Sequence, residues 1–359
     1  MRRRPCLRFL ARPGYTAVGA GFFLPQTPTA CKETDMADAV APATRHLLAA
    51  DIGGTSSRFG HFLLAPDGAL TLSCQVRLST QAAASFDDLL AALPAAGFDL
   101  APSQAAAAVF AVPGAVVGRT VRFANIDWNL GLDALGTVHG IVQGTCVNDF
   151  LAQAHGCRLL GDTAEVVLPG DMNPGKVQAV IGAGTGLGHA CLAPLPGGGV
   201  MALASEAGQT AMPFVCPEET AFAAYLFEAT GEAYARRDTV VTGGGLAHLH
   251  RFLTGDDLSP GEVGRLLAPD SPTTAWFARF YGRAARDYAL TMVAAGGVYL
   301  SGGVAAKNPL LVRHPEFARE FWASPTYGDF LRTVAVRLVR NEDVGLYGAA
   351  AIARDLLEA

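Results

Sequence analysis

Three glycine-rich turns and one acidic pair are the segments of this 359-residue chain whose residue types could do chemistry. The turns are Asp51-Ile52-Gly53-Gly54-Thr55, with Arg58 further on, Gly182-Ala183-Gly184-Thr185-Gly186-Leu187-Gly188, and Ser301-Gly302-Gly303-Val304. Each follows an apolar run that reads as a strand, and each leaves backbone N–H groups free at a bend where they can hold phosphate oxygens. A tight hairpin would explain any one of them, but three in order along the chain are a far more specific pattern. The acidic pair is Asn148-Asp149, at the end of another apolar strand. A carboxylate there can accept the proton of a substrate hydroxyl while a phosphoryl group is transferred. It can also cap the helix that "FLAQAHG" predicts, and from these residues alone capping is the stronger reading.

Two segments imitate other nucleotide sites. Residues 170–177, "GDMNPGKV", approach a P-loop but place Val177 where Ser or Thr must meet magnesium, and they precede a strand. "GAGTGLG" resembles a dinucleotide fingerprint, yet Leu187 stands at the third glycine and no helix follows.

The elements that must position these residues follow from hydrophobic periodicity. "LLAADI" reads as a buried strand; "SRFGHFLLAP" and "LTLSCQVRLS" read as a hairpin around "PDGA". "SFDDLLAALPAAG" is predicted helical, "AAAAVFAVPG" a buried strand, "TVRFANIDW" extended, and "VHGIVQGTCVND" a strand running into the helix "FLAQAHGCRLL". A second series opens with "VQAVIGAGTGLGHACLAP", strand, glycine turn and strand. A mostly helical stretch follows, with "TTAWFARFYGRAARDYALTMVAAGG" as its longest helix. "VYLSGG", "TVAVRLV" and the terminal helix "VGLYGAAAIARDLLE" complete it. The halves share a plan, and the length suggests two domains.

Half the residues are apolar and only 16% are charged, ample for a buried core. Net charge is -5, with no basic patch beyond the first residues, so nucleic acid is not expected as a partner. Seven scattered cysteines without a CxxC pair suggest neither disulfides nor a zinc cluster and fit a reducing compartment. No run is long and clean enough to span a bilayer, so no membrane partner is expected and the location is predicted cytoplasmic. Residues 1–45 stand apart: Arg8, Arg12 and Pro13 interrupt any signal-peptide core, and Met36 reads as an ordinary protein start. They are expected to be a disordered or misassigned leader, and a chain starting at Met36, without residues 1–35, is expected to fold and phosphorylate sugar like the long form.

Taken together, "DIGGTSSR", "NDFLAQAHG", "GAGTGLG", "SEAGQ", "TGGGLAHLHRFL" and "GGVYLSGGV" resemble, in order and spacing, the bacterial glucokinase family, from about residue 47 to about residue 355. The resemblance implies an α/β, two-domain actin-like ATPase (ribonuclease H-like) fold, each domain a mixed sheet flanked by helices, with ATP and glucose in the interdomain cleft. The expected division is a small domain over 46–160 and a large one over 161–359, the terminal helix packing back near the first. The implied activity is ATP-dependent phosphorylation of glucose, with ATP and Mg2+ as cofactors and Asp149 as base for the sugar 6-hydroxyl. Asp51 would hold magnesium through water. Gly53, Gly54 and Thr55 would lie near the phosphates, Gly184, Thr185 and Gly186 would form a second phosphate loop, and Gly302 and Gly303 would border the adenosine. Asn125, Asn148 and Glu206 would grip sugar hydroxyls. A homodimer is left open.

Two positions depart from the family pattern. Gln209 stands where a sugar-contacting His is usual, and Asp238 where a Glu is usual. The expectation is glucose phosphorylation with a weaker KM and looser discrimination, and tighter binding on the double exchange Gln209→His with Asp238→Glu. The Cys-rich zinc motif of the related ROK kinases is absent from the sequence, so no structural zinc is expected. Competing readings are a kinase for another hexose, hexosamine or polyol, a non-catalytic sugar sensor, and a superfamily ATPase without a sugar grip.

Overall fold

The computed structural model describes residues 44–358 except 118, 124 and 125. The expected leader, all but its last two residues, and Asn125 lie outside the described residues.

The first sheet has the order β3-β2-β1-β4-β8, built from β1 (Arg45–Ile52), β2 (Ser56–Leu64), β3 (Leu70–Ser79), β4 (Ala107–Val112) and β8 (Gly144–Asn148). β1 runs antiparallel to β2 and parallel to β4, and β4 runs parallel to β8. β1 is a near-continuous apolar run because both its faces are covered, as is usual for strands inside a layered α/β sheet. Leu48, Ala50 and Ile52 point to one core with Phe59, Phe86 and Phe110, whereas Leu47 and Ala49 point to another with Phe62, Leu346, Ala349 and Ala353. This second layer is the terminal helix Val344–Leu356, so the end of the chain completes the first sheet.

The second sheet has the order β12-β11-β10-β13-β14-β9, from β9 (Glu165–Leu168), β10 (Gln178–Ala183), β11 (Leu187–Pro194), β12 (Val200–Ser205), β13 (Val298–Ser301) and β14 (Val336–Leu338). β10 is antiparallel to β11 and parallel to β13, and β13 is parallel to β14. Setting β9 aside, this repeats the first sheet strand for strand. Its core is aromatic, centred on Phe277, Phe280 and Tyr281 of the helix Pro272–Met292.

Three strands, β5 (Gly114–Val117), β6 (Thr120–Phe123) and β7 (Asn129–Gly131), form a small separate sheet inserted between β4 and β8. The helix Leu132–Thr137 then precedes β8. The strand expected over "VHGIVQGTCVND" is therefore shorter: residues 138–143 are turns, and pairing starts at Gly144. Of its apolar beginning, Val138 and Val142 are exposed and only Ile141 is buried.

The helix Asp149–Leu159 passes between the two sheets, touching β4 and β8 on one side and β10, β11 and β13 on the other. Its crossing with the terminal helix depends on glycine. A Cβ on Gly348 would sit 1.7 Å from the carbonyl oxygen of Ala152, and one on Gly156 would sit 1.9 Å from that of Val344.

Candidate functional site

The parallel strands of both sheets deliver their carboxyl ends to one region, the place where α/β sheets hold ligands. From the first sheet come Asp51 at the end of β1 and Asn148-Asp149 at the end of β8. From the second come Gly184–Gly186 after β10 and Gly302–Gly303 after β13.

Asp149 is the first residue of its helix, and the cap lies one residue earlier than the local sequence suggests. Asn148 is the N-cap: its Oδ1 accepts from the Phe150 N–H at 2.9 Å and its Nδ2 donates to the Gly114 carbonyl at 3.0 Å. Asn148 keeps one N–H and a lone pair for a further partner. Asp149 Oδ1 also accepts from the Phe150 N–H at 2.9 Å, and its other oxygen has no hydrogen-bond partner among the described residues. Burial, with the nearby carboxylates of Asp51 and Glu206 adding to it, pushes the Asp149 carboxyl up to about 7. Asp51, Asp149 and Glu206, three of the four acidic side chains expected at the site, thus act on one another.

Asp51 is tied by Oδ2 to Arg58 Nη1 at 3.1 Å, and Arg58 Nε lies 3.2 Å from Asp343 Oδ1 at the start of the terminal helix. Burial raises the Asp51 carboxyl above its ordinary value despite the arginine. The Oδ1 atom of Asp51 has no hydrogen-bond partner among the described residues. One available carboxylate oxygen suits a magnesium ion, which takes one or two carboxylates and otherwise keeps waters and substrate phosphates. Among the described residues no group of three or more His, Cys, Asp or Glu could enclose a metal.

In the glycine turns one N–H closes the bend and the next ones are left over. Gly53 N donates to Ser56 O at 3.1 Å, and Gly184 N to Gly186 O at 2.8 Å. The N–H groups of Gly54, Thr55, Thr185 and Gly186 have no acceptor among the described residues. Gly302 has φ 86°, and a Cβ there would lie 2.4 Å from the Ala183 carbonyl oxygen, so the turn after β13 can press on the end of β10 only as glycine. Gly243 N donates to Gly184 O at 3.0 Å, tying the second loop to the helix Gly243–Thr254.

The two lobes meet where the sequence gives little warning. Phe150, next to the acidic residue, lays its ring against β10 and β11: a Cβ on Gly188 would fall 1.9 Å from that ring, and one on Gly182 2.6 Å. Ser301 Oγ donates to Gln153 Oε1 at 2.9 Å across the same gap. Glycine within a strand marks close approach, and the glycines at 182 and 188 are the signal for this wedge. Asp238 is held not by a ligand but by the loop: its Oδ1 accepts from Leu187 N at 2.6 Å. Gln209 Oε1 accepts from Arg236 Nη1, a residue that sequence reasoning passed over although it stands two positions before Asp238.

Both lookalikes resolve as expected. "GDMNPGKV" is a loop at the opposite end of β10, and "GAGTGLG" joins two antiparallel strands without a helix.

A family model described as Glucokinase matches residues 48–356. The chain is similar to the glucokinase of Nitrobacter hamburgensis, 31% identical over 315 residues that cover 84% of this chain and 94% of that one. It is likewise 31% identical over 327 residues to the glucokinase of Cupriavidus pinatubonensis, covering 86% and 92%. Among solved structures, a glucokinase from an Antarctic psychrotroph aligns with a TM-score of 0.72 at 24% identity, over 87% of this chain and 99% of that one. A ROK family glucokinase from Streptomyces griseus, solved with glucose and AMPPNP, aligns with a TM-score of 0.60 at 20% identity, covering 86% and 99%. The repeated sheet order and these superpositions give the two-domain actin-like ATPase fold.

Proposed function

The chain belongs to the glucokinase family, and from that premise we propose how its cleft transfers a phosphoryl group. It is a hexose kinase that phosphorylates glucose with ATP. Asp149 takes the proton of the sugar 6-hydroxyl as that oxygen bonds to the γ-phosphorus, while the bond to the bridging oxygen breaks and ADP leaves. One observation carries this reading: a half-buried carboxyl at a helix start with one oxygen uncommitted and a pKa pushed up to about 7, where a general base works best.

The backbone N–H groups of Gly54, Thr55, Thr185 and Gly186 donate to phosphate oxygens, with Gly53 and Gly184 shaping their turns. Gly302 and Gly303 border the adenosine. Asp51 holds Mg2+, which when bound neutralises phosphate charge, and Arg58 keeps the Asp51 carboxylate aimed. Asn125, Asn148 and Glu206 meet sugar hydroxyls, with Gln209 and Asp238 at the far corner of the ring. The catalytic groups divide between a small domain, residues 46–160 with the terminal helix Val344–Leu356 packed back on its sheet, and a large one within 161–359. Closure of the cleft between them excludes water from the transfer. The residues before Met36 take no part. Among the described residues no helix is long and apolar enough to cross a membrane, which accords with a cytoplasmic enzyme whose partners are small molecules.

The test is Asp149→Asn. Turnover, read by coupled ADP release with glucose, should fall by about 100- to 10,000-fold, with ATP binding and the circular-dichroism spectrum retained. A folded variant with near wild-type turnover would remove Asp149 from the mechanism and leave it as a helix-start residue only.

A further inference from the structure

Arg236 joins the two positions at which this chain departs from its relatives' pattern. Its Nη1 donates to Gln209 Oε1 at 2.5 Å and lies 3.6 Å from Asp238 Oδ2. The rest of the guanidinium is held from behind. Nε donates to Glu232 Oε2 at 3.2 Å, Nη2 donates to Oε1 of the same carboxylate, and Thr239 Oγ1 donates to Glu232 Oε2 at 2.7 Å. A planar fork anchored on one edge has its other edge fixed in direction, which a lysine could not reproduce. The main chain sets the same register: Arg237 N donates to Thr210 O at 3.0 Å, Met212 N donates to Ala235 O at 2.9 Å, and Ala211 and Arg236 form an antiparallel bridge.

Asp238 carries the linkage further. It sits in the first turn of the helix Arg237–Val240, and its Oδ1 accepts from Leu187 N at 2.6 Å at the end of the second glycine turn. A Cβ on Gly186 would come within 3.0 Å of that same oxygen, so the loop lies directly against the carboxylate. A glutamate, one methylene longer, would overrun this contact.

We propose that Arg236 is the positioning residue for sugar selectivity, bridging Gln209 and Asp238 into one unit that replaces the separate His and Glu of the family pattern. This rests on the reading above that Gln209 and Asp238 face the sugar. The guanidinium has only donors, so it occupies the acceptor end of Gln209 and leaves the Nε2 amide hydrogens for the ligand. That corner of the site therefore offers donors to an acceptor oxygen of the hexose. The carboxylate of Asp238, engaged on both oxygens, serves as an anchor between Arg236 and the phosphate loop more than as a free grip. The double exchange Gln209→His with Asp238→Glu then weakens glucose binding instead of tightening it, because it alters the Arg236–Gln209 contact and the Asp238–Leu187 contact together.

Steady-state kinetics of the full chain test this, with coupled ADP release over a glucose series and an ATP series. Arg236→Gln should raise the KM for glucose by about ten- to a hundredfold, the scale of a lost hydrogen bond to a charged group, with kcat within about threefold of wild type. Arg236→Lys should fall between, reaching one acceptor but not both. In the Arg236→Gln background, Gln209→Ala should add less than about threefold, because paired residues are not additive. Unchanged glucose KM in Arg236→Gln, with a raised KM in Gln209→Ala, overturns the bridge while leaving the sugar-facing reading intact. Unchanged glucose KM in both Gln209→Ala and Asp238→Ala overturns that reading itself. A fall in kcat with no change in KM for glucose reduces Arg236 to a structural residue and also defeats the proposal.

Discussion

The first and second sheets share the order of their five matching strands, yet they end in opposite chemistry. In the first, β1 and β8 terminate in Asp51 and in Asn148-Asp149. In the second, the corresponding β10 and β14 carry no acid: β10 runs into Gly184–Gly186, β14 into Val339, and neighbouring β13 into Gly302–Gly303. The strand ends of the first lobe thus supply the carboxylates Asp51 and Asp149 beside the free donors of Gly54 and Thr55, whereas the parallel strands of the second end in backbone donors without an acid. A phosphoryl transfer needs both, since the attacking hydroxyl must lose a proton and the transferred group must be held against its own charge. The same scaffold twice over lets each sheet specialise. The lobes must also be joined, which is the work of Phe150, Gln153 and the glycine-packed helix crossing.

That contrast can be attacked from either side. The largest effect is expected on the glycine side. Gly302→Ala forces a side chain into φ 86° and against the Ala183 carbonyl. It should destabilise the protein by about 2–4 kcal/mol and raise the KM for ATP while sparing that for glucose, as thermal melts and the two kinetic series would show. A melt and an ATP KM equal to wild type would mean that the turn after β13 has room to spare and no nucleotide role.

A smaller effect of opposite sign is expected on the carboxylate side. The Asp149 carboxyl is raised in the folded state, so the folded protein holds its proton longer than the unfolded chain. Stability on this account is greatest below the ordinary carboxylate range, declines between about pH 4 and about pH 7, and is constant at its lower level above that. Asp149→Asn, which removes the buried charge, should therefore raise stability by about 1–3 kcal/mol at pH 8 and leave it nearly unchanged at pH 4. A destabilised variant at pH 8 would mean that the ionised carboxylate is welcome in its surroundings, contrary to the contrast drawn here.

Much of this division was legible in the chain before any coordinates. Apolar runs ending in "DIGG", in "ND", in "GAGTG" and in "SGG" mark the strand ends and the kind of chemistry each carries, because strands buried on both faces stand out and glycines mark bends. The inserted sheet was largely hidden: β7 is three residues long, and the helix Leu132–Thr137 only six, too short for periodicity to register. β12 escaped because its residues alternate in exposure while being apolar throughout, Met201 and Leu203 facing out. The site's carboxylate and glycine residues could be listed, but not what each was tied to. That Asn148 and not Asp149 caps its helix, that Phe150 wedges against Gly182 and Gly188, and that Arg236 ties Gln209 to Asp238 are all matters of side-chain direction. The Phe150 wedge and the Arg236–Gln209 contact also join residues tens of positions apart on different elements, and spacing along the chain carries no record of them.

The central claim is that Asp149 is a carboxylate made basic by burial and by its acidic neighbours, and the pH dependence of kcat/KM for glucose reports on it most directly. With saturating ATP, kcat/KM should climb about tenfold per pH unit up to about pH 7 and level off above it, and the residual activity of Asp149→Asn should show no such rise. A wild-type profile that stays flat from pH 8 down to pH 5, or a rise near pH 7 that persists in Asp149→Asn, would contradict the account.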